Sequence, residues 1–178
     1  LSQIFITRKI SETEKSIARQ KAEDILDSIR SGVSFEELAK RNSDDPGSKV
    51  NGGFLGPAGR GIYVPRFEEA LFSMTIGEVS EPVETEFGYH IIKLEDIQGD
   101  KRTARHILVS FPRLESSDFE SISFLNDLKS RIERGEISFE EAAIEFSQAT
   151  ESKIDSGYVG FVPSESLDSA ELEAVQLV

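Results

Sequence analysis

Two stretches of this chain are versions of one another, and that duplication constrains the fold more than any other feature. LSQIFIT at Leu1–Thr7 and ARHILVS at Ala104–Ser110 share one shape, differing at the third position, where Gln3 stands against His106. DILDSIRSGVSFEELAKRNS at 24–43 returns as NDLKSRIERGEISFEEAAIEFS at 126–147, and VNGGFLGP at 50–57 returns as IDSGYVGF at 154–161. The separation is constant from Gln3/His106 to Gly32/Gly135 and one residue longer from Phe35/Phe139 onward. Matching segments in the same order, with a single one-residue shift, identify an internal repeat.

The first copy reads as a mixed unit. Alternation and β-branched content make residues 1–7 a strand. SETE is a capping box, with Ser11 as N-cap and Glu14 at N3. Ile17, Ala18, Ala22, Ile25, Leu26 and Ile29 then share a helical face that ends at Gly32, the position of a C′ glycine. SFEE starts a second helix with Ser34 and Glu37 in a second box, burying Phe35 and Leu38. A Gly-rich loop leads to a short strand near Phe54–Gly56, VPRFEEALFSM reads as a third helix, and SEPVET and GYHIIKL form a hairpin turning over Glu86–Gly88. These elements imply an α+β fold, a small sheet with helices packed on it. Charge rises and apolar residues thin around DIQGDKRTA, so the expected domains are 1–98, a linker at 99–103, and 104–178. The second copy stops in its own third helix, SAELEAVQLV, without a closing hairpin. A sheet left so would have an open edge, so the expectation is that the parent chain continues past Val178. Leu1, in turn, reads as a cut or mature end.

Composition removes several function classes. Acidic residues outnumber basic ones 33 to 20, for a net charge of −13, which disfavours nucleic acid. There is no cysteine, hence no disulfide framework or thiol nucleophile, and with two histidines a catalytic zinc is not expected. No apolar run reaches the roughly 20 residues of a membrane span. The loop NSDDPGSKVNGGFLGPAGRG at 42–61 carries neither a dinucleotide-binding glycine pattern nor a P-loop. Read as a calcium loop from Asn42, it places Gly53 where a bidentate Glu is required. In FGYHIIKL, alternation puts His90, Ile92 and Leu94 on one strand face and Tyr89, Ile91 and Lys93 on the other.

The ordered series SDDPGSKVNGGFLG, VPRFEEALF and GEVSEPVETEFGYHIIKL resembles the parvulin (rotamase, PpiC-type) peptidyl-prolyl cis/trans isomerases, and the tandem arrangement resembles SurA-type extracytoplasmic chaperones. The resemblance implies a parvulin-like four-stranded antiparallel sheet with packed helices, followed by a second, incomplete copy. It implies isomerisation of X-Pro bonds and chaperoning of unfolded or extended polypeptides, possible outer-membrane precursors included, in an extracytoplasmic and periplasmic setting. A catalytically weak or inactive parvulin-fold peptide-binding chaperone is the alternative. No cofactor or metal is implied.

Residue by residue, the resemblance places Asp45, Thr85, His90 and Gln3 in the catalytic network, and Leu55, Tyr63, Phe67 and Phe87 in the substrate pocket. Asp45 stands where relatives have Cys or Asp, and Tyr63 where Met is common. Gln3 replaces a first-strand histidine, and Phe54 replaces the usual Asp of the Gly loop. Reduced activity, confined to the first copy, is therefore expected. The second copy keeps His106 but has Ala149 at the Asp45 position and Val159 at that of Leu55.

Overall fold

The computed structural model describes residues 2–6, 9–149 and 155–158, the Ser117 side chain excepted. The chain divides into two compact units, Ile10–Leu114 and a second made of Leu1–Lys9 with Glu115–Val178.

In the first unit, helix α1 (Glu12–Arg30) begins on the expected box: Ser11 accepts the Glu14 N–H, and the Glu14 carboxylate accepts the Ser11 N–H at 2.8 Å. Helix α2 (Phe35–Asn42) starts at Ser34, which accepts the Glu37 N–H. Its second box stays half-formed, and the Ser34 hydroxyl donates to Glu36 at 2.8 Å. Helix α3 (Pro46–Lys49) is one turn capped by Asp45. Strand β1 (Phe54–Ala58), helix α4 (Pro65–Ser73), strand β2 (Val83–Thr85), strand β3 (Gly88–Gln98) and strand β4 (Lys101–Ser110) complete it.

The sheet order is β1-β4-β3-β2, antiparallel throughout, with β4 in an interior position. Residues 99–103 are therefore no linker. Gly99 and Asp100 form a two-residue turn, with Gly99 at φ 59°, and residues 101–103 are already paired with β3 and β1. A two-residue turn carrying glycine at positive φ favours antiparallel return of the chain. The expected domain boundaries at 98 and 104 fall inside this hairpin, and the first unit closes with a strand that belongs to the second repeat by sequence.

The sheet separates two apolar clusters. Tyr89, Ile91, Ile107 and Val109 pack with Ala18, Ala22, Ile25, Leu26 and Phe35 of α1 and α2. Ile92, Leu94 and Ala104 pack with Phe67 and Leu71 of α4. Strand alternation produces this division, as the sequence pattern implied. Ile17 is 47% exposed, so the buried stripe of α1 is narrower than expected.

The other unit contains helix α5 (Glu115–Glu133) and helix α6 (Phe139–Phe146), the latter started by a capping box of Ser138 and Glu141. Residues 2–6 form no extended strand there; Ser2 makes a single antiparallel bridge to Tyr158. Val159 and SAELEAVQLV lie outside the described residues.

Candidate active site

Strand pairing brings the chain's two histidines side by side. His90 on β3 and His106 on β4 are both buried, with rings stacked at 5.3 Å between centroids and 15° between planes. Phe67 of α4 stands edge-on to both, at 5.2 and 5.7 Å. Their Nδ1 atoms are 3.1 Å apart. His106 Nε2 lies 2.8 Å from Asp45 Oδ2 and 3.0 Å from Ser48 Oγ, and His90 Nε2 lies 2.8 Å from Thr85 Oγ1.

Proton placement follows from the ends of this chain of groups. Burial pushes the Asp45 carboxyl up, but hydrogen bonds from Ser48, His106 and the Gly47 N–H outweigh it and hold its pKa at about 2. An ionised carboxylate only accepts. His106 Nε2–H therefore donates to Asp45, which leaves His106 Nδ1 as an acceptor. His90 Nδ1–H donates to it, and His90 Nε2 accepts from the Thr85 hydroxyl. Thr85 Oγ1 in turn accepts the Phe87 N–H at 3.2 Å. Burial, and then the neighbouring His106, lower the His90 pKa to about 4. Burial also lowers that of His106, against the opposing hydrogen bond it donates to Asp45. Both rings are neutral at pH 7, as the directed network requires.

The Gly-rich loop is shaped by the strand it meets. The His106 N–H donates to the Gly53 carbonyl at 2.9 Å, and a Cβ on Gly53 would stand 2.2 Å from the His106 carbonyl oxygen. Arg105 fastens the same loop, donating to the Asn51 and Gly52 carbonyls at 2.9 and 3.0 Å. Ser43 Oγ accepts the Leu108 N–H, and the Asp44 N–H donates to the Leu108 carbonyl. The segment from Ser43 to Gly53 is thus a cradle for β4, and it carries Asp45 and Ser48 to His106.

Above the histidines lies a cavity of about 370 Å³. Leu55 from β1, Tyr63, Phe67 and the turn residue Phe87 line it, joined by Ile62 and Leu108. Tyr63 and Phe67 pack ring to ring at 5.0 Å. Phe67 is buried, whereas Ile62 and Phe87 form an exposed apolar rim. Among the described residues, no cluster of His, Asp and Glu has the arrangement of a metal site.

Seven of the eight sequence-derived site residues, Asp45, Leu55, Tyr63, Phe67, Thr85, Phe87 and His90, meet at this cavity or its network. Gln3 does not. It is exposed, it belongs to the other unit, and its N–H donates to the Gly157 carbonyl at 2.8 Å. The position assigned to Gln3 is filled by His106, because the Gly99–Asp100 turn delivers β4 directly alongside β3. Sequence reasoning missed His106 as the partner of His90. The signal was present as a Gly-Asp pair between two alternating apolar runs.

The profile of the rotamase family, described as the PPIC-type PPIase domain, matches residues 4–96 and 106–176. The foldase protein PrsA of Caldanaerobacter subterraneus subsp. tengcongensis is 53% identical over 76 residues, covering 43% of this chain and 25% of PrsA. The chaperone SurA of Chromohalobacter salexigens is 49% identical over 75 residues, covering 42% of this chain and 17% of SurA. This chain thus spans a quarter or less of these relatives. Among solved structures, NmPin, the parvulin of Nitrosopumilus maritimus, is 40% identical, covers 53% of this chain and 91% of its own, and has a TM-score of 0.40. The two family matches follow the sequence repeats, whereas the histidine pair joins residues from both. The chain belongs to the PpiC-type peptidyl-prolyl isomerase (rotamase) family.

Proposed function

We propose that Ile10–Leu114 is a peptidyl-prolyl cis/trans isomerase that acts on unfolded or extended chains, and that activity is confined to this unit. The observation that carries the reading is the directed network Asp45–His106–His90–Thr85 beneath an apolar cavity. An X-Pro bond isomerises unaided over tens to hundreds of seconds, and no covalent bond is broken. The obstacle is the amide resonance lost on twisting. Leu55, Tyr63 and Phe67 grip the proline ring and exclude water. A dry site favours the twisted amide, which is less charge-separated than the planar one. The hydrogen-bonded histidines hold the polar edge of the cavity in one orientation, so no reorganisation is required at the moment of twisting. Neither ring acts as a nucleophile.

The rate follows from a complete site, because His106 and not Gln3 completes it. The second reading, peptide binding without catalysis, fits the other unit, where Ala149 replaces the carboxylate and Gln3 the histidine. As a whole the protein is read as a foldase and chaperone working outside the cytoplasm, in the periplasm where the envelope has one, on unfolded or extended clients that include outer-membrane precursors. Among the described residues no helix is long and apolar enough to cross a membrane.

Exchange between cis and trans forms of a short Xaa-Pro peptide, followed by NMR without a coupled protease, tests the assignment. Wild type should accelerate exchange, and Asp45→Ala and His90→Ala should each slow it by about tenfold or more. A wild-type rate equal to the uncatalysed one, with suppression of client aggregation, would leave only the binding role.

A further inference from the structure

The contacts that seat β4 in the first unit are repeated in the other unit by the opening stretch. His106 N–H donates to Gly53 C=O at 2.9 Å, and Gln3 N–H donates to Gly157 C=O at 2.8 Å. Leu108 N–H reaches Ser43 Oγ at 3.1 Å, and Phe5 N–H reaches Ser147 Oγ at 3.1 Å. Asp44 N–H donates to Leu108 C=O at 2.8 Å, and Gln148 N–H donates to Phe5 C=O at 2.7 Å. Arg105 pairs antiparallel with Phe54, and Ser2 with Tyr158. Each of these pairs is related by the sequence repeat. The frame of the first copy therefore holds the strand of the second, and the frame of the second holds the stretch of the first.

We propose that the two stretches are interchangeable occupants of one slot, and that the one seated in the first unit decides whether its site carries His106 or Gln3. Most of the matched contacts run through the backbone of the strand, so the slot reads its shape more than its sequence. The core-facing side chains are also alike: Ile4 and Ile6 stand at the repeat positions of Ile107 and Val109. Preference comes from what the two do not share. Arg105 pairs with Glu95 at 2.6 Å and Glu36 at 3.3 Å, where the opening stretch has Ser2. His106 binds Asp45, and the Gly99–Asp100 turn keeps β4 close by. These favour the His106 form at equilibrium. The opening stretch, in turn, leads into the α1 N-cap at Ser11 with few intervening residues, so it stays at high effective concentration. The Gln3 form would be a minor state, lacking the ring that links Asp45 to His90.

The chain has no cysteine, so introduced pairs are unambiguous. Lys93 and Arg105 are cross-strand partners, and Ser2 is the repeat counterpart of Arg105. In the whole chain, Lys93→Cys with Arg105→Cys should close a disulfide on mild oxidation, and its isomerase rate should not fall on oxidation relative to its own reduced form. Ser2→Cys with Lys93→Cys should close more slowly within one molecule. Its rate should fall by about tenfold or more on oxidation and return on reduction. The same comparison on the other flank uses Phe54→Cys with either partner, since Phe54 also pairs with Arg105. The proposal is overturned if the Ser2 pairs stay reduced, or link only between molecules, where an Arg105 pair closes fully. An unchanged rate after closure also overturns it. The rate readout rests on the isomerase assignment, but disulfide closure does not: absence of activity in the reduced protein would defeat that assignment while leaving strand exchange decided by mass.

Discussion

His90 and His106 share a hydrogen bond of 3.1 Å between Nδ1 atoms, although the first lies in one sequence repeat and the second in the next. The bond exists because Ile92 and His106 are register partners across β3 and β4, as are His90 and Leu108. The two rings are therefore diagonal neighbours on one face of the sheet, within reach of each other. The Gly99–Asp100 turn and the register shift between Leu94 and Asp96 together set that pairing.

Replacing His106 by Gln isolates this relationship. Gln can still donate to Asp45 and accept from His90, but a single amide cannot span both partners with the reach of a ring. It also loses the stack on His90 and the edge contact to Phe67. His106→Gln should slow peptide isomerisation by about tenfold or more through loss of a charge-assisted hydrogen bond, with circular dichroism unchanged. Near-wild-type exchange would show that the ring pair has no part in the rate.

Much of the architecture was legible in the residues. Ser11 and Glu14 announced α1, and alternation from Tyr89 to Leu94 gave the two sheet faces found here. The pocket side chains were legible through family resemblance, since no periodicity marks Tyr63 or Phe87. What failed was chain parentage. Repeat logic assigned Ala104–Ser110 to a new domain, and the charged flanks of Gly99 and Asp100 looked like a linker. Tertiary pairing ignores repeat boundaries: a local hairpin needs little loop closure, and β4 is its product. Ile17 failed for a simpler reason, because the small residues Ala18 and Ala22 already occupy the contact with the sheet.

Acid should loosen the first unit well before its carboxylates titrate. His90 is neutral in the fold down to about pH 4, whereas in the unfolded chain it gains a proton near its ordinary 6.5. Between these values the unfolded chain binds more protons, so stability falls as pH drops. The full contribution is present above 6.5, and the loss by pH 4 is on the order of 3 kcal/mol for this residue. His106 acts in the same direction. Below that window Asp45, with its pKa near 2, adds a further loss as pH falls from its ordinary 3.8. Urea midpoints between pH 4 and 8 should trace this slope, and His90→Phe should flatten it.

Gly53 should be intolerant of any side chain. Its φ of 79° is in the left-handed region, and an added Cβ would press on the His106 carbonyl oxygen at 2.2 Å. The strained backbone alone costs about 1–2 kcal/mol, and the clash adds to it by pushing the cradle away from β4. Gly53→Ala should lower the urea midpoint by more than Gly59→Ala, where φ is not positive and nothing lies within 4 Å. The isomerase rate should fall as well, since the displaced loop carries Asp45 and Ser48.

Residues 10–114 should fold by themselves and keep the rate of the whole chain, whereas residues 1–98, with only the opening stretch to fill the place of β4, should be less stable and slower. The shorter boundary follows the repeat but removes β4, which lies between β1 and β3 and supplies Ala104, Ile107 and Val109 to both apolar clusters. Losing three fully buried side chains removes about 5 kcal/mol or more of apolar burial, which Ile4 and Ile6 of the opening stretch, lacking the contacts of Arg105 and His106, offset only in part. Residues 10–114 retain both clusters, the hairpin turn and all four members of the network. Cooperative urea unfolding of 10–114, with an isomerase rate within about twofold of the parent, is the expected result. If 1–98 were as stable as 10–114 with the opening stretch left unpaired, the position of β4 in the sheet would be wrong.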